Sequence, residues 1–177
     1  MAIWQFRIIL IPEKALLGKY DVLPLTIPQD LAEEFPWWSD FQPPARFEKS
    51  IDGMLPQTAS WSTSMRMWGE KHGDEAYVGY VGDSKSKVEE IAFHVDVRAV
   101  SSDFVSSICQ MARQIGCVLM SADYEIFVPD ESMVLTAISK STAKKYLEDP
   151  VSTLRGLDQK KFEYFMKPDR EDLPPKN

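Results

Sequence analysis

An alternation of apolar and polar residues between positions 91 and 98 constrains the fold more than any other feature of the sequence. Two sets of residues alternate there, the apolar Ile91, Phe93, Val95 and Val97 and the more polar Ala92, His94, Asp96 and Arg98. A period of two places the two sets on opposite faces of a β-strand. Strands are also predicted at residues 62–68 and 75–81, and the short turns between the three strands indicate an antiparallel meander.

The residues after this meander predict a helix over positions 102–115. Its apolar side chains recur at helical spacing and form one stripe, made of Phe104, Ile108, Met111, Ala112 and Ile115. Gly116 follows at the position where a helix often ends in a left-handed residue. Such a stripe has to be buried against another element, and the meander provides the sheet surface for it.

The remaining segments complete an α+β fold. Further strands are predicted at residues 4–11, 117–120 and 124–128, and further helices near residues 26–34, 45–54, 131–138 and 141–148. We therefore expect an antiparallel sheet of about four to six strands, covered by helices mainly on one face. Residues 1–158 are predicted to form a single domain, followed by a charged tail over residues 159–177.

The charge of the chain is acidic and unevenly distributed. Residues 1–139 contain 11 Lys or Arg and 20 Asp or Glu, a net charge of −9, whereas residues 140–177 contain 9 and 7, a net charge of +2. Because nucleic acids and acidic membrane surfaces attract clustered positive charge, the main body disfavours both as partners. A basic protein partner is favoured instead, and the oligomeric state is left open.

The sequence indicates a cytoplasmic protein without a membrane span. No stretch approaches the roughly 18 uninterrupted apolar residues that a membrane helix needs. The apolar start contains Arg7 and has no basic residues before it, unlike a signal peptide. The two cysteines, Cys109 and Cys117, are predicted to be small buried side chains rather than a disulfide.

The sequence contains no recognisable motif for a cofactor or a metal ion. Its eight glycines are scattered and form no phosphate-binding loop. Only two histidines, His72 and His94, are available as metal ligands or as catalytic bases. We therefore predict no cofactor and no metal site, and we assign no catalytic residue.

His94, Asp96 and Arg98 form the polar face of the strand at 91–98 and are the nearest approach to a catalytic constellation. A carboxylate beside an imidazole can orient it for acid–base chemistry, and the shared face allows His94 to contact Asp96. The same row is typical of a structural or solvent-facing surface, and no nucleophile motif accompanies it. We interpret the row as structural, with a small enzyme that uses His94 and Asp96 as the alternative.

Residues 35–44 combine three prolines with four aromatic side chains, which excludes regular structure there. One interpretation is a lid in which Trp37, Trp38 and Phe41 fold back on the core. The other is a partly exposed anchor for a partner, because tryptophan is enriched where binding energy concentrates. For this second interpretation the predicted partner-binding residues are Trp37, Trp38, Asp40 and Phe41.

Several short motifs occur in an order that resembles a group of small uncharacterised bacterial proteins. They are Ser60-Trp61-Ser62, Met67-Trp68-Gly69, His72-Gly73-Asp74, Val95-Asp96-Val97-Arg98, Ser141-Thr142-Ala143 and Asp149-Pro150. The resemblance covers roughly residues 60–155 and carries over no functional residue. Proteins of this size and acidity, without an active site, are similar in type to the immunity proteins of bacterial polymorphic-toxin systems.

Size, acidity and missing catalytic motifs together predict a non-catalytic protein-binding protein. The resemblance implies an immunity protein that neutralises a bacterial toxin. Two alternatives remain at this point, the small enzyme with His94 and Asp96 and a regulatory or structural subunit of a larger assembly. The sequence does not separate the last of these from a binding protein.

Overall fold

The apolar strands assemble into one antiparallel sheet, as the sequence predicts. The computed structural model describes residues 2–156. The strands in chain order are β1 (Gln5–Pro12), β2 (Gln57–Thr58), β3 (Met65–Gly69), β4 (Glu75–Tyr80), β5 (Val88–Asp96), β6 (Cys117–Ser121) and β7 (Ile126–Phe127). Their order across the sheet is β2-β3-β4-β5-β1-β6-β7. The α+β class is confirmed. The sheet has seven strands rather than the expected four to six, partly because β2 has only two residues, too few to show a strand pattern in the sequence.

The helices lie between and after the strands. They are α1 (Glu13–Leu17), α2 (Gln29–Glu34), α3 (Glu48–Asp52), α4 (Ser102–Gln114), α5 (Glu131–Lys140) and α6 (Thr142–Glu148), and residues 150–156 are again helical. Ser101, Asp130 and Ser141 cap α4, α5 and α6 by accepting hydrogen bonds from backbone N–H groups of the first turn. Within residues 2–156, no helix combines the length and the apolar character needed to cross a membrane. The predicted charged tail lies outside the described residues.

One face of the sheet packs against α3 and α4. The strand register aligns Ile8 with Phe93, and Phe93 with Ala76, so these side chains share a face. The Phe93 ring packs edge-on against Phe104 of α4, with 6.1 Å between the ring centroids. The predicted apolar face is confirmed, because Ile91, Phe93 and Val95 of β5 and Val97 just after it are all buried. The strand ends at Asp96, however, so Arg98 lies in the turn that follows it.

The helix α3 sits on the same face, over the β3–β4 side of the sheet. Trp68 of β3 donates its indole N–H to Asp52 at 2.8 Å. Arg66 forms an ion pair with Glu48, which also accepts a hydrogen bond from the Tyr80 hydroxyl. These contacts leave the opposite face of β1, β4 and β5 with polar side chains such as Arg7, Tyr77 and His94.

The sheet opens between β1 and β5. Their ladder ends at the pair Ile9–Ala92, although β1 continues to Pro12 beside β6 and β5 reaches Val88 beside β4. The side chain of Gln42 occupies this opening: its amide oxygen accepts from the Val88 N–H at 2.6 Å, and its amide nitrogen donates to the Val88 carbonyl at 3.0 Å. One side-chain amide thus replaces a strand partner and ties residues 35–42 to the sheet.

The two adjacent tryptophans of this segment are core residues. Trp37 is 6% exposed and Trp38 is 3% exposed. Trp37 donates its indole N–H to the Ala32 carbonyl at 3.2 Å, and its ring packs edge-on against Phe35 with centroids 4.6 Å apart. Trp37 and Trp38 therefore fit the first interpretation of residues 35–44, a lid that folds back on the core.

Core packing predicts unequal effects of two tryptophan substitutions. Trp38→Ala should lower the free energy of unfolding by roughly 3–5 kcal/mol, because it removes a buried indole and leaves a cavity. Trp61→Ala, at a site that is 78% exposed, should change that free energy by less than about 0.5 kcal/mol. Urea unfolding followed by circular dichroism measures both, and a loss below about 1 kcal/mol for Trp38→Ala would contradict its core role.

Candidate functional site

A cleft of about 630 Å³ lies where β1 and β5 separate. Its apolar wall is formed by side chains from the sheet and from residues 32–38, among them Ile9, Met120, Phe35, Trp37 and Trp38. Its charged lining consists of two cationic residues, Arg7 and Lys87, and four acidic ones, Glu33, Glu34, Glu89 and Glu90. The cleft thus combines an apolar wall with charged groups, as ligand sites often do, and its charged residues carry an excess of two negative charges.

The cation on the sheet side of the cleft is already paired. The Nη2 atom of Arg7 donates to the Tyr77 hydroxyl at 2.5 Å and to the Glu90 carboxylate. Glu90 also accepts from the Tyr77 hydroxyl at 3.1 Å, and burial together with the Glu90 charge raises the pKa of Tyr77 to about 12. The Nε atom of Arg7 is buried without a hydrogen-bond partner among the described residues.

A fixed carboxylate lies on the other side. The Oε1 atom of Glu33 accepts from the Tyr124 hydroxyl at 2.6 Å and from the Gln29 side-chain amide at 3.0 Å. The hydrogen bond from Tyr124 lowers the pKa of Glu33, so the carboxylate is ionised at neutral pH. No described residue donates to its second oxygen, Oε2, which leaves that atom free to accept.

The predicted polar row on β5 is divided into two separate pairs. His94 is 8% exposed, and its Nδ1 atom lies 3.1 Å from Glu75 of β4. Asp96 is instead paired with Arg98 at 2.7 Å. Alternate residues of one strand are about 7 Å apart, whereas directly opposed residues of neighbouring strands are about 5 Å apart. The register sets Glu75 opposite His94, so the expected contact between His94 and Asp96 is replaced by one across the sheet.

The pair of His94 and Glu75 consists of a neutral imidazole and a carboxylate. Burial lowers the pKa of His94 below its usual value and outweighs the opposing effect of Glu75. Burial also acts against ionisation of Glu75, but hydrogen bonds from His94, the His72 backbone and Gln5 outweigh it and lower the pKa of Glu75. Since an ionised carboxylate only accepts hydrogen bonds, the imidazole proton belongs on Nδ1. The pair joins β4 to β5 and, through Gln5, to β1.

The four predicted partner-binding residues occupy two different environments. Trp37 and Trp38 are buried and form part of the cleft wall, so neither presents its indole as an exposed anchor. Phe41 is 38% exposed, and Asp40 is exposed beside it. The predicted role of all four residues in partner binding stays a prediction.

An exposed tryptophan that the sequence analysis did not select lies on another turn. Trp61 is 78% exposed and belongs to the run Ser60-Trp61-Ser62-Thr63-Ser64. The Ser60 hydroxyl donates to the Ser62 carbonyl at 2.9 Å, and the Ser62 hydroxyl is 3.0 Å from that of Ser64. The available signal was the run of hydroxyl residues, which bond to nearby backbone and favour turns over strands.

The turn that carries Trp61 is also attached to the next hairpin. The Tyr80 N–H donates to the Ser64 carbonyl at 2.9 Å, and the Thr63 hydroxyl bonds to Asp83. Lys85 reaches the Met65 carbonyl at 3.3 Å. The indole therefore projects from a backbone that is held at several points, and we call residues 60–64 the Trp61 turn.

No protein-family model, curated protein sequence or solved structure matches this chain. The resemblance of residues 60–155 to small bacterial proteins therefore stays a prediction. Support for a function comes from the cleft, the Trp61 turn and the charge of the chain itself.

The neutral state of buried His94 predicts a pH-dependent stability. The unfolded chain binds a proton at His94 once the pH falls below about 6.5, whereas the folded chain resists protonation until a lower pH. The free energy of unfolding should therefore fall as the pH drops from about 6.5 towards the folded pKa. Urea unfolding at several values between about pH 8 and pH 5 measures this loss.

Two variants identify the histidine responsible. His94→Gln should remove this part of the pH dependence, because no imidazole remains to be protonated. His72→Asn is the matched control, since His72 is exposed and its positive φ of 68° suits asparagine. An unchanged pH dependence in His94→Gln would show that other groups cause the loss.

Proposed function

We propose that this chain is a non-catalytic protein-binding protein for a basic partner, and that it acts as an immunity protein that neutralises a bacterial toxin in the cytoplasm. The observation that carries the proposal is the Trp61 turn, which presents a largely exposed indole on a backbone fixed by hydrogen bonds. Tryptophan is among the residues most enriched at the energetic centres of protein interfaces.

The fixed backbone of the Trp61 turn favours binding. An indole has one of the largest apolar surfaces of any side chain, and covering it with a partner removes that surface from water. Ordering a flexible loop on association would cost part of this gain. Hydrogen bonds donated by the Ser60 and Thr63 hydroxyls and accepted by the Ser64 carbonyl already hold the turn in the free protein, so little of the gain is lost.

The charge of the chain supports a basic partner. The net charge of −9 over residues 1–139 creates a field that speeds the encounter with a positively charged protein. Toxins that cleave nucleic acids need positive surfaces to hold the phosphate backbone, which makes an acidic inhibitor complementary to them. This is the physical reason why the resemblance to immunity proteins suits an acidic chain.

The state of the reactive side chains also supports binding rather than catalysis. Arg7 and Asp96 are each paired with a residue of opposite charge, and the His94 side chain is buried rather than open to a substrate. Burial raises the pKa of Cys109 to about 11 and that of Cys117 to about 12, so both remain thiols instead of nucleophilic thiolates. Both cysteines are free, as is usual in a reducing compartment.

Affinity capture tests the proposal. The full chain, tagged and expressed in its native host, should retain a basic protein, and Trp61→Ala should weaken that complex by about 30- to 1,000-fold, the usual range for a central tryptophan. Val22→Ala is the matched control, because Val22 is a similarly exposed apolar residue elsewhere on the chain. Affinities of the purified complexes are measured by calorimetry.

The biological part of the proposal has its own test. The captured protein should be toxic when expressed alone and harmless when the full chain is coexpressed. Protection should be reduced with Trp61→Ala at an unchanged melting temperature. Two results would count against the proposed function: capture of no basic protein, or equal protection by the unchanged chain and the Trp61→Ala variant.

A further inference from the structure

We propose that the cleft between residues 32–39 and the ends of β1 and β5 binds a lysine or arginine side chain of the basic partner. This proposal rests on the proposed function and adds the chemical group that the cleft recognises. Lysine and arginine side chains consist of an apolar stem and a cationic head. The cleft offers the corresponding surfaces, an apolar wall whose accessible side chains include Ile9, Phe35 and Val81 and a set of acidic residues that includes Glu33, Glu34 and Glu89.

The carboxylate of Glu33 is already oriented for a cation. Tyr124 and Gln29 both donate to its Oε1 atom, which fixes the side chain without using Oε2. Since two hydrogen bonds restrain this exposed carboxylate, ordering it around a cationic N–H group costs little. Hydrogen bonds between two ionised groups are stronger than those between neutral ones.

The cationic residues of the cleft do not cancel this preference. Arg7 is neutralised locally by its ion pair with Glu90. Lys87 is exposed and offsets the charge of one of the other three acidic residues, Glu33, Glu34 and Glu89, so a net excess of two negative charges remains. Lys19, which is not among the lining residues, holds its ammonium 3.8 Å from the Phe35 ring centroid, so that face of the ring is already occupied by a cation of the chain itself.

One feature of the cleft would favour an anion instead. The Nε atom of Arg7 has no hydrogen-bond partner among the described residues, and a guanidinium binds carboxylates well. Arg7 already has a carboxylate partner in Glu90, whereas no residue within 2–156 donates to the Oε2 atom of Glu33. The larger number of acidic residues therefore favours a cation, and the experiment includes an anionic probe for comparison.

Capped amino acids test the cleft directly in the purified full chain. The probes are the Nα-acetyl methylamides of arginine, lysine, norleucine and glutamate, titrated into ¹⁵N-labelled protein and followed by NMR. The arginine or lysine probe should bind saturably with a millimolar dissociation constant, which is typical of a single side chain. Signals of the Trp37 and Trp38 indoles and of Glu33 and Tyr124 should shift, while the Trp61 indole should not.

A substitution at Glu33 identifies the charge that the probe meets. Glu33→Gln should weaken binding of the cationic probe by about 3- to 10-fold, as expected for one ion pair at a partly open site. It should leave the norleucine probe unaffected, because the apolar wall is unchanged. Glu70→Gln is the matched control, since Glu70 is an exposed acidic residue that does not line the cleft.

Each alternative result would overturn the proposal. Equal affinity for norleucine and arginine would mean that the cleft recognises only an apolar surface, and tighter binding of glutamate would assign it to an anion through Arg7. Equal effects of Glu33→Gln and Glu70→Gln would exclude Glu33 as the acceptor. Any of these results would leave capture of a partner through Trp61 intact, so failure of the cleft proposal is distinguishable from failure of the proposed function.

Discussion

Pairing of the first strand in the middle of the sheet is the interaction on which the rest of the structure depends. β1 pairs with β5 along residues 5–9 and with β6 along residues 8–12. Because β5 and β6 are both antiparallel to β1, they run parallel to each other, and α4 provides the connection that parallel strands require. β1 thereby joins the meander of β2 to β5 to the β6–β7 pair, and its buried Ile8 and Leu10 belong to the common core.

The same pairing also creates the cleft. β1 pairs with β5 along its first half and with β6 along its second half. Its ladder with β5 therefore stops although β1 and β5 both continue beyond that point. An open ladder leaves backbone groups that have to be satisfied, and the Gln42 amide does this at Val88. The residues that lead to Gln42 bring Trp37 and Trp38 against the core. The division of β1 between two partner strands therefore accounts for both the opening in the sheet and the walls of the cleft.

The charged groups of the molecule fall into two classes. On the face of β1, β4 and β5 opposite α3 and α4, the pairs of Arg7 with Glu90 and of His94 with Glu75 are closed within the fold. They connect neighbouring strands. By contrast, the second oxygen of Glu33 has no donor among the described residues, and the Trp61 indole is exposed on a fixed turn. Groups of this second kind are available to a partner.

The sequence by itself determined the elements that local periodicity encodes. The alternation at residues 91–98 identified β5 and its buried face, and the stripe from Phe104 to Ile115 identified α4 almost to its ends. Only the tertiary structure decided which partner each polar or aromatic side chain meets. His94 contacts Glu75 because of the strand register. Trp38 is buried while Trp61 is exposed, because Gln42 in the segment of Trp38 bonds to the distant Val88 and holds that segment against the sheet. Register and burial depend on contacts between residues far apart in the chain, and a local pattern contains no information about them.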